Sequence, residues 1–227
     1  MAMQLDQVVP FGRSLNEYVK MFSLSKADLQ GSILGVADGP ASFNAEGTEL
    51  GYKIHSVDPL YAFKGDEIRD RFYAVLESVI AQVADTEDDY VWRYHRSPAD
   101  LKAHRIQATE RFYTDYEKGK AQGRYHTGEL PQLSYPNDAF DLGLCSHFLF
   151  LYSLQYDADF HIAAVEEMLR LCQEVRIFPL LTLNLEKSPH LDPVVDHFKK
   201  SGYQCAIETV EYEFQRGGNK MLKIHQA

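Results

Sequence analysis

Cysteine is scarce in this sequence, and long apolar stretches are absent from it. The three cysteines, Cys145, Cys172 and Cys205, are odd in number, widely spaced and set among apolar residues, so we expect buried thiols rather than disulfides or a metal site. No apolar run approaches the roughly 18 residues of a membrane span, and the first residues lack the charged and apolar regions of a signal peptide. These absences predict a cytoplasmic protein without a membrane partner.

An excess of positive charge is also lacking. The 227 residues include 33 Asp and Glu but 23 Lys and Arg, which gives a formal net charge of -10 at pH 7. Such a chain repels phosphate backbones and anionic lipids, so no nucleic acid is expected as a partner. The sequence contains no Gly-x-Ser-x-Gly elbow, no phosphate-loop lysine and no acid triplet for magnesium. The length suits one domain, residues 1–227, with a full core.

The strongest local signal lies in the first third of the chain. A short apolar run at 33–37 predicts a strand buried on both faces, and a turn of small residues at 38–42 follows it. A helical segment then ends at Gly51, and a second strand at 52–57 leads to Asp58. Parallel sheets bind nucleotide-like ligands at the carboxyl ends of such strands, so we expect a ligand site there.

The residue types in this unit suit a ligand that contains a ribose. Gly39, with the small Ala37 and Ala41 on either side, permits close approach to the backbone. The Asp58 carboxylate can accept hydrogen bonds from both hydroxyls of a ribose. Taken singly, each feature has a simpler interpretation as an ordinary turn or an ordinary strand end. Together, at this spacing, they favour a binding site.

The segment between the second and third predicted strands is much longer than one crossover helix requires. A helix is predicted at 66–84, and a second begins after Ser97, which is placed as an N-cap with proline next to it. The second is the expected crossover helix, and the whole segment, about 62–122, is expected to be a helical insertion that caps the site. The aromatic stretch 88–96 either lines an acceptor pocket or packs the insertion onto the domain.

The remaining segments alternate between strand and helix. Strands are predicted at 124–127, 141–145, 175–183, 204–214 and 220–225, and helices at 159–172 and from Asp192 to Gly202. The last two strands are expected to form a hairpin around a turn at 216–219. Near the other end of the chain, Ser14 and Glu17 are spaced as a capping box for a helix.

The block ILGVADGPASF at 33–43 resembles the first motif of the Rossmann-like S-adenosylmethionine-dependent methyltransferases, hhDhGxGxGxh, where h is apolar. Gly35 stands where that family usually has an acid. Ala37 and Ala41 stand where it has its first and third glycines, and Gly39 occupies the central glycine position.

A second block supports the same family. GELPQLSYPNDAFDLGLCSH, residues 128–147, resembles the family pattern GDAxxLPFxxxxFDhhhxxH, with Glu129 in place of the commoner aspartate. In that family the acid at this position meets the exocyclic amine of adenine. The following strand forms the floor of the cleft beside the reacting methyl group.

The resemblance implies a fold, a cofactor and a site. The fold is α/β, a Rossmann-like methyltransferase fold with a mostly parallel seven-stranded sheet, a C-terminal antiparallel hairpin and, here, a helical insertion after the second strand. The cofactor is S-adenosylmethionine, and the acidic chain favours a small-molecule methyl acceptor. The implied cofactor-binding residues are Ala37, Asp38, Gly39, Asp58, Pro59, Leu60, Glu129, Leu130 and Ser146.

Methyl transfer to a hydroxyl or ammonium group also needs a base near the end of the fourth strand. His147 is predicted there, and histidine titrates near neutrality. The alternative is that His147 caps the strand or packs against the amino-acid end of the cofactor, in which case His95 and His104 are the next candidates. In the resembling family an N-terminal helix packs beside the cleft, so Arg13 and Tyr18 are further candidates for cofactor contacts.

Parts of the sequence also suggest two other functions and one metal site. An NAD(P)-dependent oxidoreductase also has an acid about 20 residues after its glycine turn, but the Gly-x-Gly-x-x-Gly turn is absent here. A non-catalytic domain that binds the cofactor or serves as a scaffold remains open because the glycines are substituted. Possible metal ligands stand close together at His190, Asp192, Asp196 and His197. Asp192 is expected to be an N-cap, so no metal site is predicted there.

Overall fold

The computed structural model describes residues 10–226 and contains one seven-stranded sheet with helices around it. The strands are β1 Ser32–Val36, β2 Lys53–Val57, β3 Tyr125–His126, β4 Phe140–Ser146, β5 Cys172–Phe178, β6 Tyr203–Thr209 and β7 Lys220–Gln226. The helices are α1 Leu15–Met21, α2 Phe43–Glu49, α3 Gly65–Asp85, α4 Pro98–Ala121, α5 Ala158–Leu171 and α6 Leu191–Lys200. Within this described part, no helix combines the length and apolar character needed to cross a membrane.

The strand order is β3-β2-β1-β4-β5-β7-β6. Strands β1 to β5 are mutually parallel, whereas β7 lies between β5 and β6 and is antiparallel to both. This arrangement confirms the predicted methyltransferase fold with its C-terminal antiparallel hairpin. It differs from the dinucleotide-binding order 3-2-1-4-5-6, in which no strand is inserted between the fifth and sixth. The carboxyl ends of β1, β2 and β4 meet at one edge of the sheet.

The central strand β1 is buried on both faces, as its apolar run predicted. Leu34 and Val36 pack in a cluster with α5 and α6, while Ile33 points the other way into a cluster with α1 and α2. Alternate residues of a strand face opposite sides, so one short strand contributes to both apolar layers. The predicted capping box of α1, Ser14 with Glu17, is present and fixes where that helix begins.

The insertion is a helical hairpin of α3 and α4. Helix α4 packs against α2 and leads directly into β3, which identifies it as the crossover helix. The aromatic segment between α3 and α4 packs mainly against the connection from β6 to β7. Val91 N–H donates to Phe214 O at 2.7 Å, and the Tyr90 ring stacks on Phe214 with 4.6 Å between centroids. Most of its rings therefore hold the insertion onto the domain.

Three predicted boundaries were wrong. Strand β5 ends at Phe178 rather than at residue 183, because Pro179 has no N–H group to continue the ladder. Strand β6 ends at Thr209 rather than at 214, because residues 210–219 leave the sheet to pack under the insertion. Helix α6 begins at Leu191, so Asp192 lies inside its first turn and is not the N-cap.

Candidate functional site

A cleft of about 300 Å³ lies at the carboxyl ends of β1, β2 and β4. All ten predicted site residues line it, although they come from four separate stretches of the chain. They are Ala37, Asp38, Gly39, Asp58, Pro59, Leu60, Glu129, Leu130, Ser146 and His147. The cleft arises because parallel strands deliver the segments that follow them to the same edge of the sheet.

The turn after β1 exposes its backbone to the cleft. Ala37 and Gly39 both have positive φ, 57° and 55°, a conformation that is uncommon for a non-glycine residue. Ala37 N–H donates to Val57 O at 2.9 Å, and Tyr61 O–H donates to Gly39 O at 2.8 Å, so the turn is fixed to the neighbouring elements. A side-chain carbon placed on Gly39 would meet no atom within 4 Å. A ligand can therefore approach this backbone closely.

Asp58 connects the ends of β1 and β2. One carboxylate oxygen accepts from Gly39 N–H at 2.8 Å and the other accepts from Leu60 N–H at 2.7 Å. Burial raises the pKa of Asp58 to about 6, while the two backbone donors lower it. Each oxygen retains a second lone pair, so the carboxylate can hold the turn and still accept two ligand hydroxyls.

Asp38 lines the cleft, but its carboxylate is held inside the fold. Tyr18 O–H and Ser56 O–H donate to its two oxygens, both at 2.6 Å. Burial raises the pKa of Asp38 to about 7, against the lowering effect of these hydrogen bonds. A side-chain carbon on Gly35 would overlap this carboxylate. Asp38 thus fills the space above the strand position where the resembling family carries its acid.

The segment after β3 borders the far side of the cleft. Leu130 is buried in the core beneath it, while Glu129 is exposed at its mouth. Pro59 and Leu60, in the 3₁₀ turn that Asp58 caps, line the cleft as well. An apolar floor with an acid at the entrance suits a flat ring that carries an amine.

His147 follows β4 and lies at the base of the cleft. Its backbone N–H donates to Phe178 O at 2.7 Å, and its Nδ1 shares a hydrogen bond of 2.9 Å with Ser146 Oγ. Its pKa lies well below the ordinary value, because of burial first and then the positive charges of Arg13 and Arg105. The imidazole is therefore neutral at pH 7. Within residues 10–226 its Nε2 has no hydrogen-bond partner and is available to a ligand.

Arg13 and Tyr18, the two further candidates, also line the cleft. The Tyr18 hydroxyl already donates its hydrogen bond to Asp38. Arg13 donates from one terminal nitrogen to Phe11 O at 2.9 Å, and its Nε is buried without a partner. Burial and the nearby Arg105 lower its pKa to about 10, which leaves it charged at neutral pH. Sequence reasoning missed Phe11, Arg71, Phe148 and Tyr156, which line the cleft but belong to no motif.

A smaller cavity of about 100 Å³, here called the side chamber, lies next to the cleft. It shares Phe11, Arg13 and His147 with the cleft. Its other walls come from the insertion, the residues after β4, the residues after β5 and the connection from β6 to β7. They are Val79, Val83, Tyr90, Leu101, Arg105, Leu151, Tyr152, Leu183, Phe214 and Gln215.

Behind the side chamber, a buried ionic network joins α1, α4 and the connection from β6 to β7. Arg105 donates to both carboxylate oxygens of Glu17, at 2.7 and 3.0 Å, and Tyr212 O–H donates to Glu17 at 3.0 Å. Burial alone raises the pKa of Glu17, but Arg105 and the hydrogen bond from His95 bring it well below the ordinary value. Glu17 and Arg105 are therefore both charged at neutral pH.

The alternative bases His95 and His104 do not line the cleft or the side chamber. Their Nδ1 atoms share a hydrogen bond of 2.8 Å. Together with Asp100 they each offer one potential metal-binding atom, and these three atoms lie within 4.8 Å of one another. Arg105 lies 3.2 Å from His95 Nε2 and places a positive charge beside this group. Three residues of the group His190, Asp192, Asp196 and His197 bind separate partners. His190 contacts Ser153 O, Asp192 pairs with Lys187, and His197 pairs with Glu166.

Comparison with known proteins gives one close relative and several similar folds. No protein-family model matches the chain. The uncharacterized protein MJ0045 of Methanocaldococcus jannaschii is 35% identical over 225 residues, which cover 99% of each chain.

Two solved structures have a TM-score of 0.50 at 11% identity and are matched over 94% of this chain. One is magnesium protoporphyrin IX methyltransferase from Synechocystis PCC 6803 with bound S-adenosylmethionine, of which 78% is covered. The other is the mitomycin 7-O-methyltransferase MmcR, of which 54% is covered. At this identity the likeness shows a common fold.

Proposed function

The chain belongs to the same family as MJ0045 and has the fold of the S-adenosylmethionine-dependent methyltransferases, and we propose that it transfers a methyl group from S-adenosylmethionine to a small-molecule acceptor. The observation that carries the proposal is the meeting of Gly39, Asp58, Glu129 and His147 at one cleft. The two solved structures described above are, by their names, methyltransferases of small molecules.

The residues of the cleft fit the cofactor. The open backbone at Gly39 accommodates the amino-acid end, and the free lone pairs of Asp58 accept the ribose hydroxyls. Leu60 and Leu130 offer apolar contacts to the adenine, with Glu129 at the mouth to accept from its amine. When bound, S-adenosylmethionine supplies an electrophilic methyl group on a positively charged sulfur.

His147 is the proposed base. Its neutral imidazole can accept the proton that an acceptor hydroxyl loses as the oxygen forms its bond to the methyl carbon. The cofactor, held by Gly39 and Asp58, would supply the methyl carbon and would take the electron pair of the carbon–sulfur bond as it leaves as a neutral thioether. The chain's own contribution is then alignment of the acceptor, removal of one proton and exclusion of water.

The insertion at about 62–122 is proposed to cap the cleft of a single domain, residues 1–227. Phe63 and Arg71 from this segment line the cleft, and the Arg71 guanidinium lies 3.7 Å from the centroid of the Phe63 ring. Val79, Val83 and Leu101 line the side chamber. The insertion therefore borders both cavities and is placed to shield them from water.

A calorimetric panel tests the cofactor assignment. We expect S-adenosylhomocysteine and S-adenosylmethionine to bind, and NAD and NADP to bind far more weakly. Asp58→Asn should weaken S-adenosylhomocysteine by at least about tenfold, since charge-assisted hydrogen bonds are worth about 1.5–3 kcal/mol each. Asp141→Asn is the matched control, because Asp141 also accepts from a backbone N–H, that of Ser32 at 2.7 Å, but at the opposite edge of the sheet.

Two results would contradict the assignment: tight binding of NAD, or equal affinity of S-adenosylhomocysteine for wild type and Asp58→Asn. Release of S-adenosylhomocysteine in the presence of an acceptor would exclude the non-catalytic alternative.

A further inference from the structure

The side chamber is built for the apolar part of a small molecule. Val79, Val83, Leu101, Leu151 and Leu183 supply aliphatic walls, and Tyr90 and Phe214 supply aromatic ones. Its volume of about 100 Å³ is of the same order as a cavity of roughly 150 Å³ that takes up benzene. Since it shares His147 with the cleft, a molecule in it would lie beside the proposed base.

Arg13, at the junction of the two cavities, carries a positive charge that the described residues do not balance. Within residues 10–226 it forms no ion pair; its only hydrogen bond goes to Phe11 O, and its Nε is buried without a partner. The other cation of the side chamber, Arg105, is paired with Glu17 through two hydrogen bonds.

The Glu17 carboxylate attracts Arg13, but it already pairs with Arg105, so within residues 10–226 two guanidinium groups share this one negative charge. Tyr212 donates to Glu17, and His147 is neutral. The two carboxylate oxygens of Asp38 accept from Tyr18 and Ser56, and Asp38 forms no ion pair with Arg13. Arg13 is half-buried, with its Nε enclosed, and charges withdrawn from water in proteins are normally paired. An anionic group on a ligand would complete this site.

We propose that the methyl acceptor is a small molecule of about one ring that carries a carboxylate, and that Arg13 binds this carboxylate while the apolar part occupies the side chamber. This inference rests on the proposed function, since it names the substrate class of the same site. Arg13 is then a specificity-determining residue, which selects anionic acceptors over neutral ones of the same shape.

Pairs of acids and amides test the inference directly. The probes are benzoate, 4-hydroxybenzoate and phenylacetate, each measured against its neutral amide by calorimetry or ligand-observed NMR, with and without saturating S-adenosylhomocysteine. We expect at least one acid to bind about tenfold or more tightly than its amide. In Arg13→Met this preference should disappear, and in Arg13→Lys part of it should remain. Arg93→Met is the control, since Arg93 is exposed on the insertion and lines neither cavity.

The outcomes separate this inference from the proposed function. No preference for any acid in wild type, or an unchanged preference in Arg13→Met, overturns the inference while leaving the cofactor assignment intact. Failure of S-adenosylhomocysteine to bind contradicts the proposed function, and the pairs measured without it still decide whether the chamber selects anions. The wild-type comparison does not depend on how well any variant folds.

A further pair of ligands decides whether Arg13 serves the cofactor instead. 5′-Methylthioadenosine lacks the amino-acid part of S-adenosylhomocysteine and so lacks its carboxylate. We expect Arg13→Met to leave the affinity for both compounds within about twofold of wild type. A large loss for S-adenosylhomocysteine with no loss for 5′-methylthioadenosine would assign Arg13 to the cofactor carboxylate and overturn the inference.

Discussion

The absence of a side chain at Gly35 leaves space for the carboxylate of Asp38, three positions further along the chain. The carboxylate of Asp38 occupies the space above Gly35, fixed there by Tyr18 and Ser56. The resembling methyltransferase motif has an acid at the position of Gly35. A comparison by sequence position finds no acid there, whereas the structure has the carboxylate of Asp38 in the space above that position.

Gly35→Ala should destabilise the protein by about 1–3 kcal/mol, because its new methyl group overlaps the Asp38 carboxylate. In an Asp38→Ala background the same change should cost little or even stabilise, since the space is then empty and alanine is favoured over glycine in a strand. Urea unfolding of the four proteins of this cycle measures both effects. If Gly35→Ala lowered the free energy of unfolding equally with Asp38 present and with Asp38→Ala, the steric explanation would be contradicted.

The protonation of His147 gives a second prediction for a single residue. Burial, Arg13 and Arg105 hold its pKa below the ordinary value, so NMR titration should find His147 uncharged at pH 6.5 and above. Arg13→Met removes one of the two positive charges, so the pKa should rise but stay below 6.5, because burial remains the largest cause. An unchanged or lower pKa in Arg13→Met would place the guanidinium elsewhere in solution.

The sequence predicted the residues of the cleft better than those of the side chamber. Asp58, Ser146 and His147 follow predicted strands, and strand ends of a parallel sheet converge by geometry. Phe214 has no such pattern, and Arg13 was a candidate only through the family resemblance. Their positions depend on how the insertion and the connection from β6 to β7 pack, which is determined by tertiary contacts rather than by local periodicity.

At the level of elements, helices were predicted more accurately than strands. Helix α4 begins where Ser97 and Pro98 indicate, because N-caps are local signals. The apolar sequence after β5 predicted a longer strand, since Leu180 is as buried as a strand residue although it lies in a loop. Apolar character reports burial, and it does not by itself report backbone pairing.

Closure of the insertion is testable by hydrogen exchange. The segment from Tyr90 to His95 is tied to the connection from β6 to β7 through Val91 N–H and Phe214 O. If the insertion caps the cleft, S-adenosylhomocysteine together with an acidic probe should slow exchange across residues 90–95 relative to the unliganded protein. The loop at 184–187 lines neither cavity and serves as an internal control. Unchanged protection at 90–95 would count against a cap.

At the scale of the whole molecule, the ionic network of Glu17 and Arg105 connects the N-terminal helix, the insertion and the C-terminal hairpin. Arg105→Met should lower the free energy of unfolding by about 3–5 kcal/mol, because it leaves the buried Glu17 carboxylate unpaired. Arg111→Met is the control on the same helix, since the pair of Arg111 with Glu49 is exposed and should contribute under about 1 kcal/mol. A similar small loss for both variants would show that the network contributes little to stability.

The measurement that tests the central claim most directly is a crystal structure of the protein with S-adenosylhomocysteine. The proposal predicts ribose hydroxyls within about 3 Å of the Asp58 carboxylate, adenine between Leu60 and Leu130, and sulfur facing His147. Density for the ligand outside this cleft, or a ribose away from Asp58, would contradict the claim that this cleft binds the cofactor for methyl transfer.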